Sequence, residues 1–368
     1  MAPVIDPSTT YAFEDADAFA AASAQRIGAG YVYTRWANPT IDAFEAAVAD
    51  LEGTEEAEAF ASGMAAISAV FLALCSAGDR VVATRQLYGN THSLLTNRLP
   101  RYGIEAILAD VDDLDSIARA LPGARLLYCE TIGNPAAAVA DLAALASLAA
   151  AHEVPLVVDN TFASPVLCRP AAHGADLVLH SATKFIGGHH DLMGGIVCGT
   201  AELLEPVRAV ARDLGPTLSP FNAWLALRGL ATIHLRVERS SESALAVARF
   251  LADHPDIETV AYPVLTQPEL CERQLSGRGG GTLGFEVAGG RDRARHFQEE
   301  LELIRPAASL GGTHSLIVHA ASVTHTQLSD EELARVGISP GFCRLSIGLE
   351  DPDDLVADLD RALARTNA

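Results

Sequence analysis

The sequence predicts an α/β fold, in which a mostly parallel sheet forms a large domain and a smaller α+β domain follows it. Three observations favour this fold class. Short apolar or β-branched runs alternate with helix-like runs through the middle of the chain. The pattern changes towards the C-terminus, and the length of 368 residues with 49% hydrophobic content suits one large domain with a smaller one.

The elements of the large domain follow one another in chain order. One buried helix is predicted over 64–78 and another over 141–153. Strands are predicted at "DRVVAT" (79–84), "EAILAD" (105–110), "RLLYCE" (125–130), "VPLVVDN" (154–160), "ADLVLH" (175–180) and "GGIVCG" (194–199). A largely parallel sheet of this kind binds ligands beyond the carboxyl ends of its strands.

The C-terminal third has a different pattern. A long helix with a break near Gly229 is predicted over 219–255, and a second helix over 291–304. Strands are predicted around it at 279–290, 314–322 and 343–351. We therefore expect an N-terminal arm over 1–38, a ligand-binding domain over 39–240 and a small domain over 241–368.

Charge and apolar patterning exclude several partner classes. A formal net charge of −21 argues against nucleic acid or an anionic membrane as a partner, and favours solubility. The start of the chain has neither the basic region nor the apolar core of a signal peptide, and the longest apolar run is too short to span a bilayer. Six cysteines without a C-x-x-C pair indicate core residues in a reducing compartment. We expect a cytoplasmic protein.

Lys184 lies in "HSATKFIGGHHD", directly after a predicted strand. Desolvation at such a place lowers the pKa of a lysine and frees its amine as a nucleophile. The alternative is a surface lysine with no chemical role. The histidines of this segment suggest a metal cluster of His180, His189, His190 and Asp191, but they lack helical H-x-x-x-H spacing, and no metal is predicted.

Two further stretches suggest the other parts of a ligand site. Asp159 ends the apolar run "LVVD", where a carboxylate needs a partner such as a protonated heterocyclic nitrogen, unless it only caps a helix. Ser62 and Gly63 open an apolar helix whose free N–H groups suit a phosphate, unless the serine is a plain N-cap. Ser181 and Thr183 could add hydroxyl donors to the same phosphate.

One ligand combines a phosphate, an aldehyde for a lysine and a pyridine nitrogen for an aspartate, namely pyridoxal 5′-phosphate. Tyr88 in "RQLYGNTH" stands at a predicted turn, where its ring could stack on the pyridine. The joint pattern predicts this cofactor more specifically than any one of its parts.

The sequence resembles the Cys/Met-metabolism, or trans-sulfuration, family of pyridoxal-phosphate enzymes. This resemblance implies the aspartate-aminotransferase-like fold, known as fold type I. The matching stretches run in family order from about residue 8 to 355: "STTYAFED", "YVYTRWANPT", "ASGMAAI", "YGNTH", "ETIGNP", "VVDNTFASP", "SATKFIGGHHD", "SPFNAWLALRGL", "SLGG", "THTQL" and "RLSIGLEDPDDL".

The resemblance implies roles for individual residues. Lys184 matches the lysine that forms the Schiff base, Asp159 the partner of the pyridine nitrogen and Tyr88 the stacking ring, and all three count as catalytic. The phosphate cradle and its surroundings match Ser62, Gly63, Met64, Thr161, Ser181 and Thr183.

Further matches concern the substrate and the subunits. Arg344 matches the arginine that binds the substrate α-carboxylate. Asn134 matches a residue near the cofactor O3′, and Ser309 one that orients the lysine or the substrate. Tyr33 and Arg35 match a cofactor-binding pair that reaches the phosphate and the active site of a neighbouring subunit. This implies a homodimer and, in most of the family, a homotetramer.

The sequence departs from the family pattern at three places. The arm before "YTRWANPT" is short, which weakens the expectation of a tetramer. Asn90 stands where glycine is common and where methionine γ-lyases tend to have cysteine. His314 stands where many cystathionine-handling members have a glutamate, so a cationic distal group on the substrate is less expected.

The implied activity is a C–S lyase reaction on a small amino acid. We expect α,γ-elimination of L-methionine, L-homocysteine or L-cystathionine to 2-oxobutanoate, ammonia and a thiol. The first alternative is γ-replacement on O-acetyl- or O-succinyl-homoserine, as in cystathionine γ-synthases and homoserine sulfhydrylases. A remote alternative is a non-catalytic protein that binds the cofactor.

Overall fold

The computed structural model describes residues 3–24, 30–323 and 339–366. Its larger sheet has seven strands in the spatial order β1-β7-β6-β5-β4-β2-β3. The strands are Glu56–Phe60 (β1), Arg80–Thr84 (β2), Glu105–Ala109 (β3), Leu126–Glu130 (β4), Leu156–Asp159 (β5), Leu177–His180 (β6) and Gly195–Gly199 (β7). The block β2 to β6 is parallel, while β7 runs antiparallel to both β6 and β1.

All six strands predicted for the large domain are present in the structure, and β1 was missed. The sequence of β1, "EAEAF", has two glutamates and therefore does not read as an apolar strand. Arg208 neutralises both of them, with Nη2 2.8 Å from Glu56 and Nε 3.0 Å from Glu58. A charge partner from a distant helix thus permits a strand that the local pattern hides.

Helices cover both faces of the sheet. They are Ala16–Ser23 (α1), Pro39–Glu52 (α2), Gly63–Leu74 (α3), Gly89–Ser93 (α4), Leu114–Ala120 (α5), Leu142–Ala151 (α6), Ser164–Leu167 (α7), Ala201–Leu214 (α8), Pro220–Leu230 (α9) and Ile233–Asp253 (α10). Leu127 and Val82 pack into one core cluster, and their neighbours Leu126 and Val81 pack into another on the opposite face. Burial on both faces explains the nearly continuous apolar runs of these strands.

The smaller sheet has five strands in the order β10-β11-β12-β9-β8. They are Ile257–Ala261 (β8), Thr282–Val287 (β9), Arg305–Pro306 (β10), Leu316–His319 (β11) and Phe342–Ser346 (β12). The accompanying helices are Pro263–Thr266 (α11), Pro268–Gln274 (α12), Gly290–Glu299 (α13), Ala320–Val323 (α14) and the C-terminal helix Pro352–Arg365. The three strands predicted here are β9, β11 and β12. The short edge strand β10 and the partly exposed β8 were not predicted.

The long helix breaks where the sequence predicts it, between α9 and α10. A Cβ on Gly229 would lie 2.3 Å from the carbonyl oxygen of Ile186, so only glycine allows this helix to approach the segment after Lys184. The helix α10 runs through the predicted domain boundary, and its residues from Ala244 onward pack into the core of the smaller sheet.

The remaining sequence expectations concern single features. All six cysteines are buried, as the sequence predicts. The arm is held against the body by a hydrogen bond from Trp224 Nε1 to the carbonyl of Pro3, at 3.0 Å. Within the described ranges, no helix is both long and apolar enough to cross a bilayer. The motif "THTQL" (324–328) lies outside the described residues.

Candidate active site

Lys184 lies four residues beyond the end of β6, at the carboxyl edge of the parallel strands. Its Nζ donates a hydrogen bond to Ser309 Oγ at 3.1 Å. Burial, and after it the nearby positive charge of Arg344, lower the pKa of Lys184 to about 8. The residue is half-buried. The neutral, nucleophilic amine is therefore far more abundant near neutral pH than in an ordinary lysine, and it dominates above about pH 8.

Ser309 joins Lys184 to the smaller sheet. It has a φ of 109°, a left-handed backbone conformation that is strained for a residue with a Cβ. Its carbonyl accepts a hydrogen bond from Arg344 Nη2 at 3.0 Å. Gly311 lets this loop press on the lysine segment, because a Cβ there would lie 2.7 Å from the backbone nitrogen of Phe185. The surrounding structure thus holds Ser309 in place against its strain.

Arg344 is a buried cation in β12 that has no carboxylate partner among the residues described. Only 7% of its surface is exposed, and Nη1 donates to Asn134 Oδ1 at 3.0 Å. Burial lowers the pKa of Arg344 to about 10. A buried guanidinium held only by neutral acceptors is an unusual arrangement, and it suits a carboxylate ligand.

Asp159 ends β5 and is 8% exposed. Its Oδ1 accepts hydrogen bonds from the backbone nitrogen of Thr161 at 2.9 Å and from its hydroxyl at 2.5 Å. Tyr128 donates to Oδ2 at 3.4 Å. Burial raises the pKa of Asp159, although the hydrogen bonds from Thr161 and the charge of His180 oppose this. Asp159 caps no helix, since α7 begins after Ala163.

Thr161 also connects the neighbouring strands, because its hydroxyl accepts from the backbone nitrogen of Ser181 at 2.8 Å. Ser181 in turn lies against the start of α3. A Cβ on Gly63 would be 2.7 Å from the Cβ of Ser181. The absence of a side chain at Gly63 therefore allows the helix terminus to meet the turn that carries Lys184.

The N-terminus of α3 has the properties of an anion site. Ser62 caps it by accepting from the backbone nitrogen of Ala65 at 3.1 Å. The N–H groups of Gly63 and Met64 belong to the first turn, where a helix supplies no acceptor of its own. The Thr183 hydroxyl already has partners within the chain. Its Oγ1 accepts a hydrogen bond from the backbone nitrogen of Gly194 at 3.0 Å and donates one to the carbonyl of the same residue.

Tyr88 directly precedes α4 and is 41% exposed, so part of its side chain is accessible. Asn90 Nδ2 donates to the Tyr88 hydroxyl at 3.2 Å. His314 is also exposed, and its Nδ1 lies 3.1 Å from Thr313 Oγ1. These side chains stand at the rim rather than in the buried part of the site.

Tyr33 and Arg35 do not join this group within one chain. Both are exposed, and the Arg35 guanidinium lies 5.6 Å from the centre of the Tyr33 ring. Arg35 Nη1 donates to the carbonyl of Arg212 in α8. Their contacts are therefore with α8 and the arm.

Sequence reasoning missed two residues that support the site. Glu130 ends β4 and pairs in register with Asp159, and the acidic end of "LLYCE" is the same signal that identified Asp159. Arg236 in α10 is 6% exposed and donates to the carbonyls of Phe185 and Gly229, each at 2.7 Å. It fixes the backbone that follows Lys184, and no local pattern in a long helix indicates such a role.

His180 belongs to a buried polar network beneath the site. Its Nε2 lies 2.5 Å from Glu52 Oε1, which also accepts from Asn160 Nδ2 at 3.0 Å. His189 instead pairs with the carbonyl of Gly187. In the part of the chain that the structure describes, no three His, Cys, Asp or Glu side chains are grouped to hold a metal ion.

The donor set fits pyridoxal phosphate. The terminus of α3 offers N–H groups for a phosphate, Asp159 offers a dry acceptor for a ring N–H, and Lys184 offers an amine for an aldehyde. The three groups stand at the carboxyl edge of one parallel block, where α/β sheets bind ligands.

Comparisons with known proteins agree with this arrangement. Residues 1–364 match the profile of the family described as "Cys/Met metabolism PLP-dependent enzyme". The O-succinylhomoserine sulfhydrylase of Pseudomonas aeruginosa is 44% identical over 361 residues, covering 97% of this chain and 89% of that protein. The L-methionine gamma-lyase of Pseudomonas putida is 41% identical over 369 residues, covering 99% of this chain and 92% of that protein.

Solved structures give the same result. A putative O-acetylhomoserine (thiol)-lyase from Campylobacter jejuni superposes with a TM-score of 0.93 at 35% identity, covering 99% of this chain and 95% of that one. That structure is described as containing N'-pyridoxyl-lysine-5'-monophosphate. The predicted fold class and the predicted cofactor are both confirmed.

Proposed function

This chain belongs to the Cys/Met metabolism family of PLP-dependent enzymes, and on that premise we propose that it eliminates the γ-substituent of a sulfur amino acid. The products are 2-oxobutanoate, ammonia and a thiol. L-Methionine and L-homocysteine are the substrates we favour, with L-cystathionine third. The observation that carries the proposal is the chain of contacts from the Lys184 amine through Ser309 to the Arg344 guanidinium, which has no carboxylate partner among the described residues.

This chain of contacts suits an α-amino acid. Arg344 would bind the α-carboxylate through its two terminal nitrogens, which orients the Cα–H bond towards Lys184. Lys184, with a pKa of about 8, would hold the cofactor covalently at rest and then remove the α-proton as a neutral base. Ser309 would keep the Lys184 Nζ between the cofactor, which it holds at rest, and the α-proton, which it removes.

The remaining side chains would position the cofactor. Pyridoxal phosphate, when bound, supplies the sink for the electron pair left at Cα. Asp159 would hold a proton on the ring nitrogen, and Thr161 keeps that carboxylate oriented. Tyr88 would stack on the ring and place its hydroxyl, which Asn90 contacts, where a γ-substituent leaves. Ser62, Gly63, Met64, Ser181 and Thr183 would surround the phosphate.

A second candidate is γ-replacement on an activated homoserine ester. It is favoured by the sulfhydrylase relative from P. aeruginosa, which is at least as similar to this chain as the γ-lyase relative. Both reactions share the removal of the α-proton and the loss of the γ-substituent. They differ in whether water or a thiol completes the reaction.

We propose that the active unit is a homodimer and that dimers pair into a tetramer. Tyr33 and Arg35 are exposed and do not contact the candidate active site around Lys184 in their own chain. This supports a role for them in the site of a neighbouring subunit. The domain limits of 39–240 and 241–368, with the arm at 1–38, remain part of the same proposal.

The deciding experiment measures keto-acid release from cofactor-loaded protein. The panel contains L-methionine, L-homocysteine, L-cystathionine, O-acetyl-homoserine and O-succinyl-homoserine, each with and without a thiol acceptor. Keto acid from methionine or homocysteine without acceptor supports the lyase. A new thioether from an ester and a thiol, with little keto acid, would assign the chain to γ-replacement instead.

A further inference from the structure

Glu130 is a buried carboxyl group at the centre of the site that the mechanism above does not use. It is 5% exposed and ends β4, directly beside Asp159 on β5. In the described ranges, no lysine, arginine or histidine forms an ion pair with it. A buried acid without a cation is costly, and this one therefore calls for a specific explanation.

The two oxygens of Glu130 hold two different loops. Oε1 accepts from the backbone nitrogen of Tyr88 at 2.6 Å, and Oε2 accepts from the backbone nitrogen of Asn134 at 3.2 Å. Asn134 in turn accepts the hydrogen bond of Arg344 Nη1 at 3.0 Å. A single side chain thus connects the backbone of the stacking tyrosine with the loop that supports the guanidinium.

The chain of contacts is continuous across both sheets. It runs from Tyr88 through Glu130 and Asn134 to Arg344, and from there through Ser309 to Lys184. Burial raises the pKa of Glu130 well above its ordinary value, and the neighbouring charge of Asp159 adds to this, while the two N–H donors oppose it. Two carboxyl groups in one dry pocket are a feature of functional sites more than of ordinary cores.

We propose that Glu130 is a positioning residue, which sets the ring of Tyr88 over the cofactor and the guanidinium of Arg344 for the substrate carboxylate at the same time. The inference rests on the roles proposed above for those two residues. An amide cannot replace the acid, because glutamine has one acceptor oxygen and its NH₂ group would face the second N–H donor.

The test is Glu130→Gln in the full-length protein reconstituted with pyridoxal phosphate. We expect kcat/KM on the best substrate of the wild type to fall about 10- to 100-fold, which is the size of effect from one unpaired buried donor. A higher KM should contribute, because Arg344 loses its support. The visible circular dichroism of the bound cofactor should also change, because the ring of Tyr88 is displaced.

Asp358→Asn is the matched control. Asp358 is likewise a buried carboxylate, 2% exposed, and it accepts from the backbone nitrogens of Glu302, Leu303 and Ile304. Unlike Glu130 it also pairs with an arginine, Arg361, and it lies in the smaller domain away from Lys184. The substitution Asp358→Asn should lower thermal stability and leave KM and the visible dichroism band of the cofactor unchanged. If Glu130→Gln behaved in the same way, the proposal would be overturned and Glu130 would be a structural residue only.

A second variant and a substrate-free measurement separate the role of Glu130 from folding and from the proposed reaction. If Glu130→Gln does not fold, Glu130→Asp replaces it. The shorter side chain keeps the carboxyl group but cannot reach both nitrogens, and we expect the same spectral change. An unaltered band in a folded Glu130→Asp enzyme would count against the proposal. The circular dichroism is measured without substrate, so it tests the positioning role of Glu130 separately from the reaction. If the variant changes the band but the wild type turns over no substrate of the panel, the positioning role stands and the proposed reaction is rejected.

Discussion

At the scale of single residues, the chemistry of Lys184 depends on two neighbours of different kinds. Burial and the charge of Arg344 both lower the pKa of the lysine, while Ser309 accepts its hydrogen bond. The sequence predicted a desolvated lysine here from the strand that precedes it. It could not predict the contribution of Arg344, which comes from a different sheet, 160 residues further along the chain (344 − 184).

The first prediction concerns the pH dependence of cofactor loading. The pKa of Lys184 lies at about 8 in the folded chain, below its ordinary value, so the neutral amine dominates only above about pH 8. The rate at which apo-enzyme binds pyridoxal phosphate covalently should therefore rise through pH 8 and level off above it. Absorbance stopped-flow measures this rate.

Arg344→Gln supplies the comparison. Removing the positive charge should move the midpoint of the loading rate to higher pH, because the ammonium form of Lys184 is no longer repelled. Lys184→Ala should lose both turnover and cofactor trapped by borohydride. Turnover that survives this change would refute the assignment of the lysine.

The second prediction concerns the rim residue His314. Introducing a carboxylate by His314→Glu should raise kcat/KM for L-cystathionine relative to L-methionine by about 10-fold, since one charge-assisted contact to the distal ammonium is worth about 1–2 kcal/mol. Steady-state kinetics on both substrates give the ratio. His314→Gln is the control, and an equal gain there would show that shape rather than charge is responsible.

At the scale of elements, the site depends on close contact between α3 and the turn after β6. Sequence reasoning recognised the helix start at Ser62 and Gly63 as a phosphate site, because a serine followed by a glycine is a local signal. It could not show that Ser181 fills the space beside Gly63, since the two residues are far apart in the chain. Arg236 was missed for the same reason.

The third prediction follows from that contact. In Gly63→Ala the new methyl group would lie 2.7 Å from the Cβ of Ser181, and the helix terminus must shift away from the phosphate. We expect the stability to fall by about 1–3 kcal/mol. The affinity for pyridoxal phosphate, measured by fluorescence titration of the apo-enzyme, should fall about 10-fold or more.

Gly199→Ala is the matched control for this change. A Cβ at Gly199 would lie 2.5 Å from Leu177 Cδ2, so the overpacking is similar. Gly199 pairs with the first residue of β6, at the end of that strand opposite to Lys184. The Gly199→Ala protein should lose stability but keep its affinity for pyridoxal phosphate. Equal affinity losses in both variants would mean that general destabilisation, and not the phosphate terminus, controls binding.

At the scale of the whole molecule, a mostly parallel sheet was within reach of the sequence, because apolar runs covered on both faces favour a parallel block. The spatial order of the strands was not predicted, since it depends on contacts between distant parts of the chain. The strands that escaped prediction are β1, β8 and β10, which lie at sheet edges. An edge strand needs less apolar sequence. In β1 its charges are neutralised by Arg208, which no local pattern could reveal.

Subunit arrangement is the property of the whole molecule on which the site depends most. Within one chain, Tyr33 and Arg35 contact the arm and α8, whereas the phosphate terminus at Gly63 packs against Ser181. The first turn of α3 is a strong anion site by itself, but two negative charges of a phosphate commonly recruit a guanidinium as well. A neighbouring subunit is the source we propose for it.

The fourth prediction tests this sharing by mixing two inactive proteins. Arg35→Ala and Lys184→Ala should each have little activity alone. When equal amounts are unfolded and refolded together, half of the dimers pair one of each. Each mixed dimer then joins an intact Lys184 to an intact Arg35 in one of its two sites, so about one quarter of the wild-type activity should return (½ × ½).

The control is a mixture of the two proteins refolded separately and combined afterwards, without exchange of subunits. Sites built within one chain would give no recovery in either arm, because every chain in the mixture carries one of the two lesions. Recovery only on co-refolding therefore requires that Arg35 act in the site of its partner.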